Sequence, residues 1–357
     1  MLTKLDRYII KKFLGTFVFI LILLMSISIV FDLSEKLNEF IANGAPWNEI
    51  ILIYYSNFFV QYGTQFSYLI NFISVIWFTS KMAGNTEIVP ILSAGVSFNR
   101  FLRPYFISSA ILVIATILVY NFVLPGSNKS RLEFEETYYR DPSSKSNVFM
   151  QLNENDILHF SNYHGIKKEI TDFSLEHYEN DALKYTLKAH KANGDSTNND
   201  WNFKRVQIRH FGEVNDDYQY ISELDTTMEF GISDLVFRPN KIDAMSNKEL
   251  NEFIAEQERS GSEKIAFYRV KKHERWASPF AIFILTLIGV SVSSKKARGG
   301  LGINIAIGLG ICVLYIFAMQ MTTVAAINVG FTPLWAVWLP NIIFSFIAYY
   351  LYLKAPK

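Results

Sequence analysis

Long stretches without a charged side chain are the feature of this sequence that most limits its possible folds. Five of them cover residues 13–31, 50–80, 104–128, 276–294 and 299–353. A transmembrane helix needs about 20 predominantly apolar residues. The last stretch is long enough for two helices and has a turn signal, Asn-Val-Gly-Phe-Thr-Pro, at 328–333. The sequence therefore predicts a polytopic α-helical membrane protein with six spans, three in residues 1–125 and three in residues 266–357.

The charged residues are divided unevenly between the middle of the chain and its apolar ends. Residues 125–268 hold 17 Lys/Arg and 26 Asp/Glu, whereas the rest of the chain holds 17 and 7. This division excludes a plain soluble enzyme, a disordered chain and a nucleic-acid binder with one long basic surface. Lys and Arg precede span one, separate spans two and three and spans four and five, and follow span six. Because such residues accumulate in cytoplasmic loops, we expect both termini to be cytoplasmic and the acidic middle to be outside.

Residues 126–265 are predicted to form this outer domain, which is mostly β with helical linkers. Runs of alternating apolar residues are separated by turn-forming residues, a pattern typical of an antiparallel sandwich or open roll. The runs cover 148–152, 157–160, 170–177, 183–189, 201–209, 218–224 and 227–230. Ser246 and Glu249 have the spacing of a capping box, which predicts a helix between the sheet and span four.

Sequence motifs of an enzyme are lacking. The chain has no G-x-x-x-x-G-K-[ST] motif, no H-E-x-x-H motif and one cysteine, Cys312. Five of the six histidines are scattered through the β region, as is typical of strand or surface histidines rather than a metal site. The spans contain no embedded charge, which argues against a proton-coupled or ion-coupled transporter. We therefore predict no catalytic residue, no metal and no cofactor.

A basic cluster lies just before span four, on the side predicted to be outside. Its position is an exception to the rule that Lys and Arg accumulate on the cytoplasmic side. The cluster consists of Arg269, Lys271, Lys272 and Arg275. In one interpretation these long side chains anchor the helix at the membrane interface. In the other they form a cationic collar for anionic lipid head groups.

The cytoplasmic segment between spans two and three predicts a short amphipathic helix within about 85–97. Thr86 is a plausible N-cap, Glu87 is in the first turn where the helix dipole favours an anion, and Gly95 ends the helix. Its apolar face consists of Ile88, Ile91 and Leu92. Such a helix can dock into a groove on a soluble partner or lie on the membrane surface, and periodicity does not distinguish the two.

This segment resembles a known family. Residues 86–89 (Thr-Glu-Ile-Val) and 93–97 (Ser-Ala-Gly-Val-Ser) resemble the coupling-helix motif of the LptF/LptG permeases of lipopolysaccharide export. Residues 5–9 (Leu-Asp-Arg-Tyr-Ile) resemble that family's N-terminal signature, and the layout of three helices, a β domain and three helices is similar throughout. Pro90 departs from the motif.

The resemblance implies an inner-membrane permease subunit of an ABC transporter. In this family a pair of permeases docks on a dimeric cytoplasmic ATPase, so the subunit is not itself an enzyme. The outer domain is expected to be a jelly roll like that of the periplasmic LptC/LptA-like bridge proteins. Lipopolysaccharide enters a cavity from the outer leaflet, between lateral gates formed by membrane spans one and five. It then passes to the bridge.

The resemblance also assigns residues to these steps. Contact with the ATPase is expected from Glu87, Ile88, Ile91, Leu92 and Gly95, with Glu87 as the charged contact. Contact with the phosphates of the lipid is expected from Lys36, Arg269, Lys271, Lys272 and Arg275. Two other functions stay open: a mechanotransmission permease that carries no lipid, and a membrane-anchored sensor or scaffold.

Overall fold

The computed structural model describes most of the chain. The described residues are 3–138, 145–152, 155–164, 169–179, 182–194, 199–212, 215–228, 239–259, 262, 264–294 and 300–355. Lys295, Lys296 and Arg298, part of the predicted cytoplasmic charge pattern, lie outside them.

Helices form both ends of the chain. Before the sheet they are α1 (Lys4–Ala42), α2 (Trp47–Glu49), a π-helix (Ile50–Tyr55), α3 (Ser56–Gln65), α4 (Ser67–Gly84), α5 (Ile88–Ser93), α6 (Phe98–Leu118), a second π-helix (Val119–Val123) and α7 (Leu124–Tyr138). After the sheet they are a 3-10 helix (Pro239–Ala244), α8 (Asn247–Arg259), α9 (Ile265–Ser293), α10 (Gly300–Asn328) and α11 (Pro333–Leu353).

Among the described residues, five helices are long and apolar enough to cross a membrane. They are Lys4–Ala42, Phe98–Glu135, Ile265–Ser293, Gly302–Asn328 and Pro333–Leu353. The stretch predicted as span two is instead divided into the first π-helix, α3 and α4, with a break at Phe66. Four of its side chains are amides, Asn57, Gln61, Gln65 and Asn71, so its mean hydropathy is lower than that of the other spans.

The region predicted to be the outer domain contains one antiparallel sheet of six described strands. They are β1 (Lys145–Gln151), β2 (Asp156–His164), β3 (Glu169–Glu179), β4 (Ala182–Gly194), β5 (Asp200–His210) and β6 (Asp217–Thr227), each paired with the next along the chain. This sequential order is a meander; a jelly roll has Greek-key crossovers, and the described strands have none. Of the last predicted run, 227–230, Thr227 ends β6 and residues 229–230 lie outside the described residues.

The sheet has its own apolar core on one face. Side chains at alternate positions of β2 to β5 pack together there, as expected when one face of a strand is buried. Trp201 and Phe203 stack with their ring centroids 5.7 Å apart, and Phe203 lies 4.9 Å from Phe173. This cluster shares no member with the clusters that hold the helices together.

In the helical bundle, α9 lies against α4, α6, α10 and α11. Buried polar side chains connect these helices: Asn71 Nδ2 donates to Thr286 Oγ1 at 2.9 Å, and Thr286 and Ser109 hydroxyls are 2.8 Å apart. Interhelical hydrogen bonds of this kind join helices where lipid offers no polar partner. Asn71, one of the amides of the second stretch, therefore joins α4 to α9.

The predicted capping box at the start of α8 is confirmed. Ser246 N–H donates to Glu249 Oε2 at 2.7 Å, and Glu249 N–H donates to Ser246 Oγ at 3.3 Å. The hydrogen bonds from Ser246 hold the pKa of the Glu249 carboxyl below its ordinary value. Leu250 and Ile254 of α8 then pack against Tyr268 of α9, which connects the linker to the bundle.

Candidate functional site

Where the coupling helix was predicted, the structure has the helix α5, which is shorter than expected and begins one residue later. Glu87 is its N-cap residue, with no side-chain capping bond, so the predicted Thr86 cap is wrong. Thr86 instead has a φ of +56°, a conformation that is rare for a β-branched residue. Pro90 is the third helical residue, where its missing N–H removes no helical hydrogen bond.

The apolar face of α5 points into the protein's own bundle. Ile88 is 1% exposed, and Ile91 and Leu92 pack against the same cluster of α1, α4 and α6 side chains. Val89 is 63% exposed, and Pro90, Ser93, Ala94 and Gly95 are also exposed. The predicted contact residues Ile88, Ile91 and Leu92 therefore hold α5 in place, whereas a partner can reach the opposite side.

Gly95 ends the helix as predicted. Its φ is +83°, and its N–H donates to the carbonyl of Leu92 at 3.0 Å. Glycine adopts this left-handed conformation without the steric cost that other residues have.

Glu87 is fixed by neighbours on both sides. Its Oε2 accepts a hydrogen bond from the Tyr8 hydroxyl at 3.2 Å, and its Oε1 accepts from Asn85 Nδ2 at 3.1 Å. Tyr8 belongs to α1, so the carboxylate is oriented by a helix far away in sequence. Neither partner is charged, so the negative charge of Glu87 is available to a cation outside the chain.

A second connection joins α1 to the coupling segment, residues 81–103 between the second and third uncharged stretches. This connection was not predicted from the sequence. Arg100, in the first turn of α6, donates to both carboxylate oxygens of Asp6, at 2.6 and 2.7 Å. Asp6 is buried, and it forms a capping box with Thr3 at the start of α1. The Thr-x-x-Asp spacing was the available sequence signal, but it identifies a helix start and not a partner 94 residues away.

Most of the cations predicted to contact lipid have partners within the chain. Arg275 is buried; its Nη1 donates to Asn247 Oδ1 at 3.1 Å and its Nη2 to the carbonyl of Ile242 at 2.7 Å. Lys271 pairs with Glu274 at 2.9 Å, and Arg269 pairs with Glu258 at 2.8 Å.

Lys36 lies in a partly buried group near the far end of α1. Its Nζ donates to Asp32 Oδ1 and to the Tyr54 hydroxyl, both at 2.5 Å. Lys272 differs from the other four cations because it forms neither an ion pair nor a side-chain hydrogen bond among the described residues. The cations predicted to contact lipid therefore take part in several separate local contacts.

A small polar pocket of about 30 Å³ lies at the inner side of this cluster, enough for one water molecule. Its lining residues are Gln61, Gln65, Tyr120, Leu124, Asp243, Lys271, Glu274 and Arg275. Burial raises the pKa of the Asp243 carboxyl, although the nearby Lys271 and Arg275 oppose this rise. The pocket is lined by α3, the second π-helix, the start of α7, the 3-10 helix and α9.

These features define a multi-pass membrane protein with an antiparallel β domain inserted between two groups of helices. A family model described as the lipopolysaccharide export system permease LptF/LptG matches residues 7–354. The chain therefore belongs to the LptF/LptG family, as the coupling-segment resemblance predicted. No curated protein matches its sequence.

Proposed function

We propose that this protein is a permease subunit of an ABC transporter that extracts lipopolysaccharide from the outer leaflet of the inner membrane and passes it to a periplasmic bridge. The observation that carries the proposal is the family match over nearly the whole chain. The arrangement of elements supports it: apolar helices, a short helix between two of them, and one antiparallel sheet inserted between the two groups of helices.

The proposed topology has six crossings, cytoplasmic termini and a periplasmic β domain. The divided second stretch supports a crossing because its two ends lie at opposite ends of α1. Tyr54 and Phe58 pack with Met25 and Phe40 of α1, whereas Met82 packs in the cluster of Ile9 and its neighbours. Residues 50–84 therefore run antiparallel to α1 along most of its length. An odd number of crossings then precedes the sheet, in agreement with the positions of Lys and Arg.

The ATPase is proposed as a separate partner that binds the exposed side of α5. The sequence has no P-loop motif of its own. Glu87 offers a charge, and Val89, Pro90 and Gly95 offer a small apolar surface. An apolar surface with a charged edge suits insertion into a groove. On the other side of α5, Ile88, Ile91 and Leu92 pack against the bundle and hold the helix in position for this contact.

A second permease of the same family and LptC/LptA-like bridge proteins are the other proposed partners. Apolar side chains are exposed along α1 and α10, the helices that the family resemblance assigns to lateral gates. Large exposed apolar faces are typical of contact with lipid or with another chain. The outer strands β1 and β6 each have one edge without a described neighbour, where a bridge protein could add a strand.

Among the predicted lipid-contacting cations, Lys272 is the strongest candidate for direct phosphate contact, because its charge is not paired within the described residues. Lys36, Arg269 and Lys271 are proposed to contact lipid only by exchanging their present partners. Arg275 is proposed to act indirectly, through the position of the linker.

Two alternatives use the same fold. A mechanotransmission permease would move the β domain without carrying lipid, and a membrane-anchored sensor or scaffold would have no ATPase. An apolar face on the sheet, present here in the cluster around Trp201 and Phe203, favours the lipid carrier only if acyl chains reach it.

Co-purification from detergent-solubilised membranes, read by mass spectrometry, tests the proposed function. We expect an ABC ATPase and a second permease to accompany the wild type. Glu87→Arg should lose the ATPase, because an arginine at this position would repel the cation of the ATPase that Glu87 is proposed to contact. Glu252→Arg is the matched control, since Glu252 is an exposed carboxylate of α8 in the outer linker. A wild-type protein that never retains an ATPase would overturn the exporter proposal.

A further inference from the structure

Two side-chain bridges attach the coupling segment to the first turns of α1, one on each side of α5. Before α5, Glu87 accepts a hydrogen bond from Tyr8 at 3.2 Å. After α5, Arg100 forms a bidentate ion pair with Asp6 at 2.6 and 2.7 Å. Both α1 residues lie within its first five positions, so the bridges meet a single short stretch of helix.

The α1 end of this contact is itself held rigidly. Thr3 Oγ1 accepts from Asp6 N–H at 3.3 Å, and Asp6 Oδ2 accepts from Thr3 N–H at 2.8 Å. Arg100 Nη2 also donates to Thr3 Oγ1 at 3.3 Å. Bidentate, charge-assisted hydrogen bonds fix direction as well as distance, and here the carboxylate is buried. The first turn of α1 and the first turn of α6 therefore cannot rotate independently without breaking the pair.

Apolar packing continues the same connection. Ile88 and Phe98, which flank the exposed part of the coupling segment, share one buried cluster with Ile9 and Phe13 of α1. Along the chain, α1 and α5 are separated by the whole of the divided second stretch. Force travelling only through the backbone would have to cross the break at Phe66 and the π-helix before reaching α1.

From this geometry we propose that α1 is driven directly by the coupling segment, through Asp6–Arg100 and Tyr8–Glu87, when the ATPase displaces α5. Asp6 and Arg100 are positioning residues in this step. The opposite face of α1 is apolar and exposed, so the helix is free to tilt in the lipid or against a partner. The inference rests on the proposed function, because it requires an ATPase on α5.

Asp6→Asn and Arg100→Lys, alone and combined, test the attachment in the intact transporter reconstituted in liposomes containing lipopolysaccharide. The measurement is the lipopolysaccharide released to the bridge protein for each ATP hydrolysed. We expect each single variant to lower this ratio roughly tenfold, as loss of a charge-assisted hydrogen bond typically would, and the double variant to add little. Bound ATPase should remain unchanged. Arg103→Lys, on the next turn of α6 and exposed, is the matched control and should leave the ratio unchanged.

A second measurement distinguishes loss of the attachment from poor folding of the variants. The variant Asp6→Cys/Arg100→Cys, made together with Cys312→Ser, is joined at positions 6 and 100 by a short bifunctional thiol reagent. Restored coupling after crosslinking is expected. If the wild type is active and the variants release normal amounts of lipid per ATP, or if crosslinking does not restore coupling, the attachment is overturned while the exporter proposal stands. Absence of ATPase or of lipid release in the wild type would instead overturn the proposed function itself.

Discussion

At the scale of single residues, neighbouring cations in this protein have different surroundings. Arg275 and Lys272 are separated by less than one helical turn of α9, but Arg275 is 4% exposed and Lys272 is only partly buried. The Arg275 guanidinium donates to the end of the 3-10 helix and to the first residue of α8. Asn247 is hydrogen-bonded in turn to Asn121 in the second π-helix. Arg275 thus joins α9 to the 3-10 helix and α8, and through Asn247 to the second π-helix.

Replacing the two cations by methionine should therefore have separable effects. Arg275→Met removes the donor to the Ile242 carbonyl and to Asn247 Oδ1, which should cost about 1–3 kcal/mol of stability. Lys272→Met should change stability by less than about 0.5 kcal/mol, as is usual for surface sites, while it lowers crosslinking of lipopolysaccharide at the outer rim. Thermal unfolding in detergent and photocrosslinking measure the two effects. Equal loss of stability in both variants would contradict the distinction.

At the scale of elements, close helix packing depends on small residues at contact points. Gly289 of α9 faces Val75 and Phe72, and Gly308 of α10 faces Ile76. A Cβ built at Gly308 would lie 2.0 Å from Ile76 Cδ1, far inside van der Waals contact. Glycine is enriched at such helix contacts in membranes because it lets the backbones approach. Here it lets α10 lie against α4.

Two glycines of α10 permit a controlled test of this contact. Gly308→Leu should separate α10 from α4 and cost about 1–3 kcal/mol, the usual range for overpacking. Gly310→Leu has the same effect on helix propensity, but no atom lies within 4 Å of its Cβ, so its thermal unfolding temperature should not fall. The readout is the difference between the two unfolding temperatures in detergent. A similar decrease for both would show that helix packing at Gly308 is not limiting.

At the scale of the whole molecule, the sheet and the helical bundle have separate cores. The sheet cluster around Trp201 contains no residue of the bundle clusters. The connection runs instead through α7, the 3-10 helix and α8, where Asn128 Nδ2 donates to the Asp243 carbonyl at 3.0 Å. Damage within one core should therefore leave the other core folded.

Trp201→Ala should unfold the sheet selectively. Removing a fully buried tryptophan typically costs about 3–5 kcal/mol, and Trp201 is 1% exposed. We expect faster trypsin cleavage between residues 145 and 228 but unchanged retention of the ATPase, because α5 is at the other end of the bundle. Tyr220→Ala, at a strand position that is 74% exposed, is the control and should leave cleavage unchanged. Loss of the ATPase with Trp201→Ala would mean that the two cores are not independent.

Local rules of sequence established a large part of this protein. Uncharged runs predicted the apolar helices, and the Ser246–Glu249 spacing and Gly95 marked helix ends. Alternation predicted seven runs, which overlap all six described strands, although some run ends differ from the strand ends by up to five residues. Each of these signals acts between residues close in the chain. The local signals failed at Thr86, which has a positive φ and is followed by Glu87 as the N-cap. They also failed in the second uncharged stretch, where amides interrupt the apolar run and the helix is divided.

Tertiary structure decided which side chains meet. Periodicity identified the apolar face of α5, but only packing showed that Ile88 turns toward α1 and leaves Val89 exposed. Charge counting found the basic cluster, which lies in the first three turns of α9, but only the position of the linker showed that Arg275 has backbone and amide partners. The partner of Asp6 lies 94 residues away. Such contacts depend on how helices pack in three dimensions, and no local spacing in the sequence encodes them.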